Sequence, residues 1–161
     1  MLEDNLHDIY VKLKLYYYHR IFRKIPINEE DALTALEAFC AEAIYGLGNP
    51  TVTEFAHFIN ASQPNAAYKI ANLEKKGYIK KSRSLEDGRI IRLSVTEKFL
   101  QIYGTSERYV SILAKRMAKH FSPEEIEKFS DMMKLISDEM MTEVNKYLRS
   151  KADLPKEIIP E

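Results

Sequence analysis

The order of elements written into residues 51–96 constrains this chain more than any other feature. Thr51 or Thr53 can cap a short helix whose Phe55, Ala56 and Ile59 fall on one face. Asn60-Ala61 makes a turn. Ser62 then caps a second helix, with Pro64 in its first turn, where a missing N–H is harmless. Ala66, Ile70 and Leu73 form the inward face of that helix, and Gly77 is a natural C-terminal stop. Residues 78–83 and 90–95 suit strands, and Asp87-Gly88 suits the hairpin turn between them. Two helices joined by a tight turn can offer one helix to a DNA groove, and a basic hairpin beside it can hold the backbone or enter the minor groove.

Charge supports the same segment. The formal net charge of the 161 residues is zero, but it is unevenly spread. Residues 1–50 hold 5 basic and 8 acidic side chains, residues 51–95 hold 8 and 4, and residues 96–161 hold 11 and 12. Net charges of −3, +4 and −1 follow, so the positive excess is confined to the helix-turn-helix segment. A local basic patch matters more for phosphate than the total, although an excess of this size also suits solvated surface.

The flanks predict helices. Leu6, Ile9, Tyr10, Leu13, Tyr17 and Ile21 recur at three- and four-residue steps over about 5–24. A second helix is expected from Asn28 or Glu29 to Tyr45, stopped by Gly46, Gly48 and Pro50. Thr96 caps a fifth helix expected to reach His120. Ser122, Pro123 and Glu125 open a sixth, expected to run to about Ser150, and the tail at 152–161 reads as irregular. The expected architecture is mainly α with a small β-hairpin wing, six helices in all. Residues 1–48 would serve dimerisation and an effector pocket, 49–96 DNA binding, and 97–151 linkage and dimerisation. The terminal helices are too long and too apolar on one face for the central module to cover, so they pair with a second copy or form an intramolecular bundle. No apolar run approaches a membrane span, the acidic N-terminus lacks a signal-peptide region, and the lone Cys40 excludes an internal disulfide. A cytoplasmic location is expected.

The residues Leu73-Glu-Lys-Lys-Gly77-Tyr-Ile79 and Asp87-Gly-Arg89, leading into Leu93-Ser-Val-Thr96-Glu-Lys98, carry a resemblance. Together with the helix order, they make the chain similar to the MarR family of winged-helix transcription regulators over nearly its whole length. The resemblance implies a homodimer that binds a pseudo-palindromic operator, with recognition helices in major grooves about 10 base pairs apart. It also implies repression relieved by a small ligand or by oxidation. Two departures stand out. Ala67 and Tyr68 replace the serine or threonine and the arginine that are common in the family, and Gly88 replaces the middle arginine of the wing tip.

Ser62, Gln63, Asn65, Tyr68 and Lys69 are the candidate DNA contacts of the second helix in this module. Gln and Asn can pair with adenine, and Tyr can bond phosphate or touch a thymine methyl. Arg83, Asp87, Gly88 and Arg89 are the candidates of the wing, where an arginine at the tip suits a narrow minor groove. Lys80, Lys81 and Arg92 are either phosphate contacts or solvated charges. The family's ligand pocket maps to Tyr16, Tyr17, Arg20, Phe39 and Cys40, which would suit a small aromatic or carboxylate effector; the tyrosines equally suit a dimer interface. Cys40 lies on an apolar stripe with Leu36 and Phe39, which favours a buried inert thiol over a redox switch. His7, His19, His57 and His120 show no metal-ligand spacing, and no catalytic motif or cofactor signature is present. An enzyme is therefore not expected. The alternative to a DNA-binding regulator is a winged-helix module that binds protein without reading DNA sequence.

Overall fold

The computed structural model describes residues 1–22, 31–84 and 87–148. In chain order these form α1 (Leu2–Phe22), α2 (Ala35–Gly46), α3 (Val52–Phe58), α4 (Gln63–Lys75), β1 (Ile79–Arg83), β2 (Ile91–Val95), α5 (Glu97–Ile102), α6 (Thr105–Met117), α7 (Pro123–Leu135) and α8 (Thr142–Asn145), with a π-helical turn at Ile136–Met140.

Capping chemistry places the central elements. Thr51 and Glu54 form a reciprocal capping box at α3, with Glu54 N–H donating to Thr51 Oγ1 at 3.2 Å and Thr51 N–H to Glu54 Oε2 at 2.6 Å. Ser62 Oγ accepts from Asn65 N–H at the start of α4. At the other end of α4, Gly77 adopts φ +77°, Gly77 N–H donates to Glu74 O, and Tyr78 N–H donates to Leu73 O. This is a Schellman ending, and it turns the chain directly into β1. β1 and β2 pair antiparallel with Ile79 opposite Val95 and Arg83 opposite Ile91. The segment before α3 joins the far side of β2, through a Thr51–Arg92 bridge and a Leu93 N–H bond to Pro50 O at 2.8 Å.

The core lies where these elements meet. Ile44, Phe55, Ala66, Ile70, Leu73, Tyr78, Leu93 and Phe99 are completely buried. Removing eight such side chains from water, at roughly 1.5–3 kcal/mol for each large one, is the main force that fixes α4 and the hairpin against α2 and α5.

The terminal helices are different. α1 buries only Ile21, and α7 buries nothing. Leu6, Ile9 and Tyr10 on α1, Phe129 and Met133 on α7, and Met140 and Val144 beyond α7 remain exposed.

Four sequence expectations are corrected. The second helix was expected from Asn28 or Glu29; 23–30 lie outside the described residues, but 32–34 are not helical and α2 begins at Ala35. Thr34 supplies the reason, because it forms a capping box with Glu37. The fifth helix is two helices. The chain leaves the helical region at Gly104, with φ −68° and ψ +38°, and a Cβ on Gly104 would lie 2.5 Å from Leu100 O. The sixth helix loses its regular ladder at the π-helical turn and breaks at Met141. There Asn145 Nδ2 takes over the Ser137 and Asp138 carbonyls at 2.7 and 3.2 Å. The described residues therefore hold eight α-helices rather than six. The expected tail at 152–161 lies outside the described residues.

Candidate nucleic-acid interface

The face that α4 turns away from the core follows from its inward stripe. With Ala66, Ile70 and Leu73 buried, helical geometry points Gln63, Asn65, Ala67, Tyr68 and Ala71 outward, and all five are exposed. Tyr68 is 67% exposed, which nothing in the core requires. The Asn65 backbone N–H is used by the Ser62 cap, so the Asn65 amide side chain is not needed there. Lys69 and Asn72 are half-buried, because they also line a groove of about 200 Å³ between α4 and α2.

The wing tip is built by Asp87. Its carbonyl accepts from Ile90 N–H at 2.9 Å, closing a tight turn around Gly88 and Arg89. Its Oδ1 accepts from Arg89 N–H at 2.9 Å and lies 3.5 Å from Arg89 Nε. The Arg89 side chain is 95% exposed, so this ion pair contributes little to stability. Its consequence is geometric, since the guanidinium projects from a turn that Asp87 holds. Arg83 stands exposed on the same hairpin.

Several basic residues of the segment are committed elsewhere. Lys81 Nζ bonds Glu74 at 2.7 Å. Arg92 is largely covered, with its guanidinium 3.4 Å from Asn49 O and 4.0 Å from Glu54. Lys76 Nζ bonds both Glu37 oxygens, at 3.0 and 2.8 Å, and Ala32 O at 3.0 Å. Lys98 Nζ bonds Asp31 and Lys76 O and sits 4.6 Å from the Tyr78 ring centroid. Tyr78 Oη donates to Asp31 O at 2.9 Å. Sequence reasoning missed this network. The Thr34-x-x-Glu37 spacing was the available signal for one member of it.

Glu37 is the most heavily bonded carboxylate of the network. Burial pushes its carboxyl up, but hydrogen bonds from Lys76 and Thr34, with the Lys76 charge, outweigh burial and hold it below the ordinary glutamate value. A depressed folded-state pKa contributes stability that is present above the unfolded value of about 4.3 and lost as pH falls through the folded one. Glu37→Gln is therefore expected to be less stable than the parent at pH 7, with the gap closing towards about pH 3. Urea midpoints at the two pH values measure this, and an unchanging gap would refute it.

The effector candidates do not form one cluster. Tyr16 stacks on Tyr109 of α6 with ring centroids 4.0 Å apart. Tyr17 and Tyr18 meet Phe39 at 6.1 and 6.0 Å. The Tyr17 hydroxyl is buried with no hydrogen-bond partner among the described residues, and burial first, then Glu42 and Tyr18, pushes its pKa up. Arg20 is half-buried on α1. Cys40 faces the other way, into the groove between α2 and α4. Burial raises its thiol against a small opposing effect of Lys69, so it stays protonated at neutral pH. Among the described residues no three His, Cys, Asp or Glu side chains are placed to share a metal, and no helix is long and apolar enough to cross a membrane.

An exposed polar helix, seated by a tight turn on a shorter one and flanked by a hairpin with an arginine tip, is a winged helix. Residues 33–91 match the MarR family. That region takes in α2, the helix-turn-helix and most of the hairpin. A MarR family protein from Bacillus stearothermophilus has 22% identity and a TM-score of 0.58, covering 86% of this chain and 92% of that one. FabT of Streptococcus pneumoniae, solved in complex with DNA, has 20% identity and a TM-score of 0.53, covering 84% and 92%. A transcriptional regulator from Thermotoga maritima has 17% identity and a TM-score of 0.55, covering 92% and 98%. Similarity at these identities is one of fold. No curated protein sequence matches the chain.

Proposed function

We propose that this chain is a DNA-binding transcriptional regulator of the MarR type, acting as a homodimeric repressor on a pseudo-palindromic operator in the cytoplasm. The observation that carries the reading is the exposed face of α4. Gln63, Asn65 and Tyr68 are presented to solvent on a rigid helix whose opposite side is locked into the core. Gln63 and Asn65 would read base edges, Ser62 and Lys69 would take phosphate, and Tyr68 would meet phosphate or a thymine methyl. Arg89, aimed by Asp87 and given room by Gly88, would enter the minor groove, with Arg83 on the adjacent backbone. Residues 49–96 thus form the reading unit. The helices of 1–48 and 97–151 would form the dimer and set the distance between two reading units.

Release by a small aromatic or carboxylate effector fits the aromatic cluster of Tyr17 and Phe39, with Tyr16 and Arg20 on the same helix as Tyr17, whereas Cys40 faces the groove between α2 and α4. Such an effector would act by preferring a spacing that DNA does not accept.

The test is selection of a preferred duplex from a randomised pool by the full-length protein, then fluorescence anisotropy on that duplex and on random DNA at two salt concentrations. Tight binding that weakens steeply with salt is expected. Gln63→Ala and Asn65→Ala are each expected to lose about 1–3 kcal/mol of discrimination, whereas Arg89→Ala weakens binding and lowers the salt slope by about 1. Equal, weak binding to both duplexes would refute the reading and leave a protein-binding module.

A further inference from the structure

We propose that Glu37 and Lys76 form a latch that sets the position of α4 along its own axis, which makes both of them positioning residues for base readout. The inference rests on the DNA-reading role of α4 proposed above. Lys76 belongs to a basic run at the end of that helix, where a lysine would ordinarily be assigned to phosphate. The geometry assigns it elsewhere. An ammonium group has three N–H donors. Those of Lys76 meet three acceptors of this chain, Glu37 Oε1 at 3.0 Å, Glu37 Oε2 at 2.8 Å and Ala32 O at 3.0 Å. No donor is left for DNA, and the side chain is only 23% exposed.

The partner is equally committed. Glu37 Oε2 also accepts from Thr34 N–H at 2.8 Å and Thr34 Oγ1 at 3.1 Å, so the carboxylate that caps α2 is the one that holds α4. The Lys76 carbonyl accepts in turn from Lys98 Nζ at 2.8 Å, and Lys98 reaches back to Asp31 at 3.2 Å. The C-cap residue of the recognition helix is thus tied by side chain and by backbone to the segment that opens α2. This anchor does what the apolar stripe cannot. Ala66, Ile70 and Leu73 select which face of α4 is buried, but apolar contacts are non-directional and tolerate a small slide. Charge-assisted hydrogen bonds are directional and do not. A slide of a fraction of an ångström moves Gln63 and Asn65 relative to base edges and leaves the phosphate contacts almost unaltered.

The experiment compares full-length Glu37→Gln, Lys76→Met and the double variant on the selected duplex and on random DNA, across a salt series. All measurements are made at a temperature where circular dichroism shows each protein folded. Glutamine at 37 can still accept from Thr34, so the cap of α2 is kept. Each single variant is expected to bind the selected duplex about tenfold more weakly, the loss of one hydrogen bond between charged groups, with random binding and the salt slope unchanged. The double variant is expected to lose no more than either single one, because the two residues act as a unit. A Lys76→Met variant that weakens both duplexes alike and lowers the salt slope by about 1 would make Lys76 a phosphate contact and overturn the latch. Unchanged discrimination in all three variants would overturn it as well. A parent protein that fails to discriminate the two duplexes would overturn the DNA reading itself, and this one with it.

Discussion

Replacing Phe129 and Met133 together with lysine is expected to leave the protein folded but monomeric, and to reduce operator binding by at least about 100-fold. Both residues lie on the apolar stripe of α7, about half exposed, on a helix that buries none of its own side chains. Ile136, Met140 and Val144 continue the exposed stripe, and α1 adds Leu6, Ile9 and Tyr10. Exposed apolar surface on this scale marks an interaction face, and a second copy of the chain is the partner the proposed function requires. Two charges at its centre would have to be desolvated without partners on association, which that interface cannot sustain. Linking two half-site contacts in one particle raises apparent affinity by about 10²–10⁴, so separating the protomers removes a factor of that order. Asp131→Lys on the opposite face of α7 is the control. Sedimentation velocity reads the assembly and anisotropy reads the binding. A parent that already sediments as a monomer, or a double variant that remains a dimer, would overturn this expectation.

Tyr78→Ala is expected to cost about 3–5 kcal/mol, the range for emptying a fully buried aromatic site. At about 2–4 °C per kcal/mol for a chain of this size, the melting temperature should fall by roughly 10 °C. Tyr78 is completely buried directly after Gly77, and it contacts three separate parts of the fold. Its ring meets Tyr103 edge-on at 5.7 Å, Lys98 lies over its face, and its hydroxyl donates to Asp31 O. Burial, followed by Tyr103, Asp31 and Glu37, pushes its phenol up to about 12, so it remains a donor throughout the neutral range. Tyr78→Phe keeps the ring and removes only that bond. It should cost about 1–3 kcal/mol, the penalty for leaving a half-buried carbonyl unpaired. Thermal melts of both variants measure the two contributions. Equal losses would mean that the hydroxyl, rather than the ring, holds the segment at Asp31.

The sequence was most legible where structure is set by neighbours in the chain. Ser62, Pro64 and Gly77 bound α4 because caps and stops act within four residues. Strands expected over 78–83 and 90–95, with Asp87-Gly88 as the turn between them, match the hairpin to within one residue of its observed ends. It failed where a local signal is weak or is overridden. Periodicity continues through Tyr103-Gly104 and through Met141, so it could not reveal that the expected fifth and sixth helices are broken. At each break the backbone leaves the helical region, with ψ +38° at Gly104 and +46° at Met141, and the Asn145 amide donates to the Ser137 carbonyl freed at the second.

The candidate site divides along the same line. Which residues α4 turns outward follows from period and polarity alone, and Gln63, Asn65 and Tyr68 could be read directly from the chain. Which lysines are available could not, because Lys69, Lys75, Lys76 and Lys80 look alike in a sequence. Only the fold brings Glu37 across 39 positions to Lys76 and Asp31 across 67 to Lys98. Likewise, the family resemblance placed Phe39 and Cys40 in one pocket, whereas the 100° between successive residues sends them to different faces of α2. By itself, then, the sequence determined the winged-helix order, its caps and the outward face of α4, since these depend on interactions within a few residues. The tertiary structure alone decided which charges are consumed inside the protein and which apolar faces are left uncovered, since both depend on segments far apart in the chain meeting in space.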